Sequence, residues 1–243
     1  MRQKEFGFAN WGGKRRGAGR KPKGKRAGVA HVKRAKLARR FPVLVTLRLA
    51  AGLRSLRAKA EHEVLCGALA ASAKEGFQVV EYSVQSNHLH LMVEAENEGE
   101  LARGMTGLAV RVARGLNRLW RRVGAVLADR YHARVLRTPS EVRTALVYVL
   151  QNARKHGAWV ARFADVFSSG PAFDGWREKV AESSAGVMAR ARTWLLARGW
   201  RRLGLIGMGE LPRGAGERRG RARDGVRELV GVAERGTESP AGA

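Results

Sequence analysis

The chain has 243 residues, 44% of them hydrophobic, enough for one well-buried domain with substantial tails. Lysine and arginine total 47 against 21 acidic residues, a net charge of +26 that points to a polyanionic partner, nucleic acid first. No apolar run approaches the ~18 residues of a spanning helix and no basic-then-apolar leader opens the chain, so no membrane association is expected. The single cysteine, Cys66, excludes an intrachain disulfide and a cysteine-based zinc cluster, and a cytoplasmic protein is expected.

Residues 1 to 40 are rich in Gly, Lys and Arg. The block carrying Lys14, Arg15, Arg16, Arg20 and Lys21 cannot bury a core and reads as a flexible basic arm for DNA phosphates. Within it, Gly19-Arg20-Lys21-Pro22 loosely matches the Arg-Gly-Arg-Pro core of minor-groove peptides, with Lys21 in place of the central glycine. Residues 42 to 49 are β-branched and alternate toward their end, which predicts a strand. From residue 53 to about 74, Leu53, Leu56, Ala60, Val64, Leu65, Ala68 and Leu69 recur at helical spacing, predicting an amphipathic helix that stops near Gly76. Residues 77 to 84 and 88 to 94 read as two strands of an antiparallel hairpin joined by Gln85-Ser86-Asn87.

A second helix is expected over residues 98 to 122, with an apolar stripe of Leu101, Met105, Leu108, Val112, Leu116 and Leu119. Arg111, Arg114, Arg118 and Arg121 line its other side, a spacing suited to DNA phosphates. A fourth strand is placed around residues 131 to 136. Thr138-Pro139-Ser140-Glu141 then carries an N-cap, a proline at the first helical position and a capping-box glutamate, predicting a third helix through Tyr148 to about His156. Residues 158 to 212, with Trp159, Trp176, Trp194 and Trp200, read as a small helical extension, and residues 213 to 243 as a disordered basic tail. The first six elements give an α+β class: a ferredoxin-like split β-α-β antiparallel sheet, with the third helix as an addition.

His88 and His90 sit two apart in a strand, so both imidazoles leave one face at a backbone spacing of ~6.5 Å and can share one metal ion. Two strand histidines on a polar sheet face satisfy the same pattern, and Met92 in place of a third histidine argues against a histidine-triad phosphotransferase. On the third helix Tyr148 and Asn152 lie one turn apart beside the core stripe of Val142, Ala145, Leu146, Val149 and Ala153. Asn152 can offer an amide oxygen as a third ligand, with Gln151 in reserve. Two imidazoles without a thiolate suit Mg²⁺ or Mn²⁺ and remain compatible with Zn²⁺. Of the other tyrosines, Tyr82 is expected in packing, whereas Tyr131 beside His132 is a second candidate nucleophile.

Ser86-Asn87-His88-Leu89-His90-Leu91-Met92-Val93, then Asp129-Arg130-Tyr131-His132, then Tyr148-Val149-Leu150-Gln151-Asn152-Ala153-Arg154-Lys155-His156-Gly157, resemble the REP-associated branch of the insertion-sequence single-tyrosine transposases, within the HUH endonucleases. The resemblance runs from about residue 40 to 157. It departs from the family at Ala153, where proline often follows the asparagine. It implies a transposase-like domain over residues 41 to 157, His88, His90 and Asn152 as ligands of a divalent ion, and Tyr148 as the nucleophile. The implied reaction cleaves and rejoins single-stranded or hairpin DNA through a 5′-phosphotyrosine intermediate with a free 3′-hydroxyl. Whether Tyr148 acts in its own subunit or across a homodimer stays open. Two other readings share the fold: a non-enzymatic DNA-binding regulator, and a rolling-circle initiator or relaxase, which the short length and absence of a helicase region disfavour.

Overall fold

In the computed structural model, which describes residues 36 to 155, 164 to 180 and 188 to 212, the alternating segment Val43–Arg48 forms β1 and the hairpin segments form β2 (Phe77–Val84) and β3 (His88–Ala95). The basic arm with Lys14, Arg15, Arg16, Arg20 and Lys21, together with His156, Trp159 and the tail from residue 213, lies outside the described residues. With β4 (His132–Val135) the strands order as β2-β3-β1-β4, every neighbouring pair antiparallel. This is the expected α+β sheet. The hairpin closes where Gln85 N donates to His88 O at 2.8 Å.

Strand parity divides the molecule into layers. Val43, Val45, Leu47, Leu89, Leu91 and Val93 are buried with α1 (Lys59–Ala70) and α2 (Glu98–Leu119) on one face. Met92 and Val80 belong to the opposite face, which packs on α3 (Pro139–Leu150) and the segment after it. Both faces are therefore covered, and the third helix lies across the sheet from the first two. Residues 167 to 169 run along the outer edge of β2, where Val84 N donates to Phe167 O at 2.8 Å and Ser169 N to Tyr82 O at 3.0 Å. This pairing protects a strand edge that would otherwise present open backbone groups.

Three element boundaries differ from the sequence reading. The first helix starts at Lys59 instead of Leu53. Upstream, Gly52 has a φ of +78°, Leu56 N donates to Ser86 O, and the Arg57 guanidinium makes a two-pronged bond to Asp165, both prongs at 2.8 Å. These anchors hold the leading segment in an irregular path. The second helix ends at Leu119, and Arg121, with a φ of 48°, sits in the turn beyond it. The third helix ends at Leu150, and a separate turn, α4 (Asn152–Lys155), follows Gln151.

The break at Gln151 coincides with side chains reaching for the C-terminal segment. Gln151 Nε2 donates to the carbonyls of Gly207 and Met208, and Arg154 donates to Met208 O. About two turns earlier, Arg143 holds Glu210 with both terminal guanidinium nitrogens and donates through Nε to Gly204 O. The expected helical extension is mostly irregular where described: α5 is only Trp194–Ala197, with single 3-10 turns at Gly170–Ala172 and Gly199–Leu203. Its tryptophans are nonetheless structural, since Trp176 and Trp200 are buried against α3 and their indole nitrogens donate to Gly170 O and Leu196 O. Trp194 is exposed.

The start of α3 follows its sequence signal closely. Glu141 N donates to Thr138 Oγ1 at 3.2 Å, and the Glu141 carboxylate accepts from the backbone nitrogens of Arg137 and Thr138 at 2.7 and 3.2 Å. These bonds, with Arg134 nearby, hold the Glu141 carboxyl below its ordinary range. Thr138→Ala removes one half of this box and is expected to cost about 1 kcal/mol of stability by chemical denaturation; an unchanged midpoint would show that the box contributes nothing.

Candidate active site

His88 and His90 point to the α3 side of the sheet because Leu89, Leu91 and Val93 are committed to the α1 and α2 side. Their ring centroids are 4.6 Å apart. His90 is buried on an inner strand, between Thr46 of β1 and Ser83 of β2 in the pairing register, and His88 lies opposite Arg48. The Nδ1–H of His88 donates to Asn87 Oδ1 at 2.7 Å, which in the neutral ring leaves the lone pair on Nε2.

Tyr148 reaches this pair from α3. Its ring centroid is 4.7 Å from that of His90, and Tyr148 Oη lies 3.3 Å from His90 Nε2. On the other side of the imidazole, Nδ1 is 3.1 Å from Thr46 Oγ1. When the phenol donates to Nε2, the Nδ1–H donates to Thr46, and His90 then has the same tautomer as His88. Partial burial raises the Tyr148 phenol above its ordinary range by desolvating the phenolate, so the group is protonated at neutral pH.

Asn152 occupies the first position of α4 and is 1% exposed. Among the described residues neither its Oδ1 nor its Nδ2 has a hydrogen-bond partner. A buried, unsatisfied amide costs about 1–3 kcal/mol, so such a group calls for a ligand or another explanation. Gln151 differs, because its Nε2 is taken by the carbonyls of Gly207 and Met208. Among the described residues no three His, Cys, Asp or Glu side chains gather as a metal site.

The other sequence candidates separate cleanly. Tyr131 packs on the α1 and α2 side, across the sheet from the imidazoles, and so does Tyr82, whose hydroxyl meets His62 and Cys66. Tyr131 therefore cannot serve as nucleophile at the His88–His90 pair within one chain. Arg111, Arg114 and Arg118 are exposed on α2, and Arg121 follows in the turn, all on the layer across the sheet from Tyr148. On the imidazole side, the register instead places Arg48 beside His88, and His132 beside Thr46. Thr46 and Arg48 were not singled out from sequence, because only the non-local pairing of β1 with β3 brings them to the histidines.

No protein-family model and no curated protein matches the chain. Among solved structures, a REP-associated tyrosine transposase bound to a REP hairpin is similar with a TM-score of 0.50 and 16% identity, over 68% of this chain and 99% of that one. A bacterial tRNA(His) guanylyltransferase-like protein in complex with GTP is similar at a TM-score of 0.40 and 16% identity, over 50% of this chain and 66% of that one. The likeness to the transposase structure is one of fold.

The contacts of His90 predict separate responses in imidazole ¹⁵N spectra. Tyr148→Phe is expected to move the Nε2 resonance of His90, Thr46→Val its Nδ1 resonance, and neither the Nδ1 of His88. Unchanged His90 resonances in both variants would contradict the geometry.

Proposed function

We propose that the chain is a single-tyrosine transposase-like endonuclease of the HUH type, which cleaves and rejoins single-stranded or hairpin DNA through Tyr148. The observation that carries this reading is the approach of Tyr148 Oη to 3.3 Å from His90 Nε2, which joins the nucleophile of the third helix to the histidine pair of the sheet. Composition, the sequence resemblance, and a fold shared with a transposase that was solved bound to a REP hairpin all support it.

In the reaction, the phenolic oxygen of Tyr148 forms a bond to the phosphorus of the scissile diester. The bond to the 3′ oxygen breaks, that oxygen takes up a proton, and the phosphate stays on Tyr148 through its 5′ strand end. Bond energy is retained, so attack by a 3′-hydroxyl reverses the step and rejoins DNA. Because burial holds the phenol protonated, its proton must leave during attack. His88, His90 and Asn152 are the residues to hold a divalent ion, Mg²⁺ or Mn²⁺, and the buried Asn152 amide, without a partner among the described residues, fits that donor set. Such an ion, when bound, polarises the phosphate and stabilises charge on the leaving oxygen. The His90 Nε2 lone pair serves either the Tyr148 proton or a cation, which makes metal binding visible at the tyrosine.

DNA binding in this reading draws on the arm residues Lys14, Arg15, Arg16, Arg20 and Lys21 and on the α2 arginines Arg111, Arg114, Arg118 and Arg121. On the Tyr148 side of the sheet, the cation that the register places beside His88 is Arg48, which is proposed to meet the strand's phosphates. The protein is proposed to act in the cytoplasm. Among the described residues no helix is long and apolar enough to cross a membrane.

Two measurements test the proposal. With a labelled hairpin oligonucleotide and Mn²⁺, the wild-type protein should form a covalent adduct, whereas Tyr148→Phe should bind with similar affinity and form none. Tight binding without any wild-type adduct would support the regulator instead. Titration calorimetry with Mn²⁺ should show no binding by the His88→Ala, His90→Ala double variant, and Asn152→Ala should weaken it by at least the ~10-fold that follows loss of even an outer-sphere partner. Full Mn²⁺ affinity in the double variant would remove the metal assignment.

A further inference from the structure

Trp194 stands apart from the other described tryptophans. The indole nitrogens of Trp120, Trp176 and Trp200 each donate within the fold, whereas that of Trp194 donates to none of the described residues, and Trp194 is 49% exposed. Its position is nevertheless fixed. The backbone nitrogens of Arg192 and Thr193 donate to the buried Glu94 carboxylate at 2.8 Å each, and Thr193 caps α5 by accepting from Leu196 N at 3.3 Å. The indole lies against Gly199, where a Cβ would come within 2.8 Å of Trp194 Cζ3, and the Arg202 guanidinium sits 5.0 Å from the ring centre. The fold thus holds a half-exposed aromatic ring in place, with a cation over one face.

Trp194 forms part of the wall of a cavity of about 410 Å³, within the range of small-molecule sites, about 300–1,000 Å³. Arg39, Arg40 and Arg192 line the same cavity, all three exposed and none of them in an ion pair among the described residues. Arg192 donates through Nη1 to Glu75 O at 2.7 Å. Of the carboxylates in the lining, Glu94 is taken up by Gln78 and by the backbone of Arg192 and Thr193, while Glu75 and Glu96 are exposed. Counting Arg202, the guanidiniums around the ring outnumber these exposed carboxylates. The cavity lies on the Tyr148 side of the sheet, because Glu94 is four residues after His90 and shares its face of β3. Four strand residues span ~13 Å, about four stacked base steps of duplex DNA.

We infer that Trp194 is a stacking platform for one unpaired base of the DNA strand that enters the Tyr148 site, with Arg39, Arg40 and Arg192 meeting the phosphates beside it. An exposed indole and a set of guanidiniums outside ion pairs match the two parts that every nucleotide presents, a ring face and a phosphate. Bases inside a duplex hide their ring faces in the stack, so the platform selects an unpaired nucleotide over the stem of a hairpin. Stacking on an aromatic ring uses the π-face common to all four bases, so the contact fixes the path of the strand without reading its sequence. The Arg202 guanidinium behind the indole strengthens the platform as a cation–π partner that itself faces a polyanion. The inference rests on the proposed DNA cleavage for the identity of the strand, and on the exposed ring and its cations for the site.

The test uses the full chain with a hairpin oligonucleotide that carries unpaired flanks, beside the same hairpin without flanks. Affinity is read by fluorescence anisotropy and cleavage by adduct yield. Trp194→Ala is expected to weaken binding of the flanked hairpin about fivefold or more, the effect of one base–aromatic stack, and that of the unflanked hairpin by less than about twofold. Trp194→Phe, which keeps a ring, should recover most of the loss. An abasic residue at one flank position should reproduce the Trp194→Ala loss in the wild type and add nothing in the variant, and any of the four bases should serve at that position. A fluorescent adenine analogue placed there should be quenched by the wild type and not by Trp194→Ala. The Arg39→Ala, Arg40→Ala double variant should weaken all flank sequences alike and lower the salt slope by about two, and an unchanged slope would remove the phosphate contacts. Wild-type affinity of Trp194→Ala for the flanked hairpin, an equal loss on both hairpins, or a flank with no position coupled to Trp194 would each overturn the platform. Stacking that depends on Trp194 without any wild-type adduct would overturn the cleavage reading alone.

Discussion

The geometry of the site depends on the commitment of β3 to two neighbours at once. Leu89, Leu91 and Val93 are buried against α1 and α2, and β1 and β2 pair with the strand on either side, so the register cannot slip by one residue without turning the whole apolar set outward. That constraint sends His88 and His90 to the opposite face and holds His90 beside Thr46. Tyr148 is fixed by a second, independent commitment, the burial of Val142, Leu146 and Val149 of α3 against the same face. The two meet in one contact between a phenol and an imidazole.

The C-terminal segment adds rigidity to that meeting. Arg143, Gln151 and Arg154 each bind residues 204 to 210, so the tyrosine-bearing helix is held from its solvent side by a segment more than fifty residues later in the chain. Glu94 does similar work at the far end of β3, where its carboxylate accepts from Gln78 and from the backbone nitrogens of Arg192 and Thr193. Several buried polar groups in this layer are thus satisfied, in contrast to the Asn152 amide, which has no partner among the described residues.

Much of this was legible in the sequence because it is local. The alternation of His88 to Val93, the apolar stripe of α2 and the capping box at Thr138 each encode their structure within a few residues, and each element was found. The order of elements then restricts the topology. What was not legible depends on partners far away in sequence. The delayed start of α1 follows from Arg57 binding Asp165, and the break after Leu150 coincides with Gln151 and Arg154 binding Met208. Thr46 carries no signal of its own until β1 pairs with β3. The tryptophans of residues 164 to 212 read as helical because they are apolar and clustered, yet they form a layer of short turns whose order comes from the sheet face beneath them.

The claim that organises the whole account is that Tyr148, and no other tyrosine, becomes joined to DNA. Its most direct test is to incubate the wild-type chain with a single-stranded hairpin substrate and Mn²⁺, digest the covalent product, and sequence the nucleotide-bearing peptide by mass spectrometry. The account predicts one modified peptide, with the phosphodiester on Tyr148 and the DNA attached through its 5′ end. A modification on Tyr82 or Tyr131, or a 3′ linkage, would contradict it.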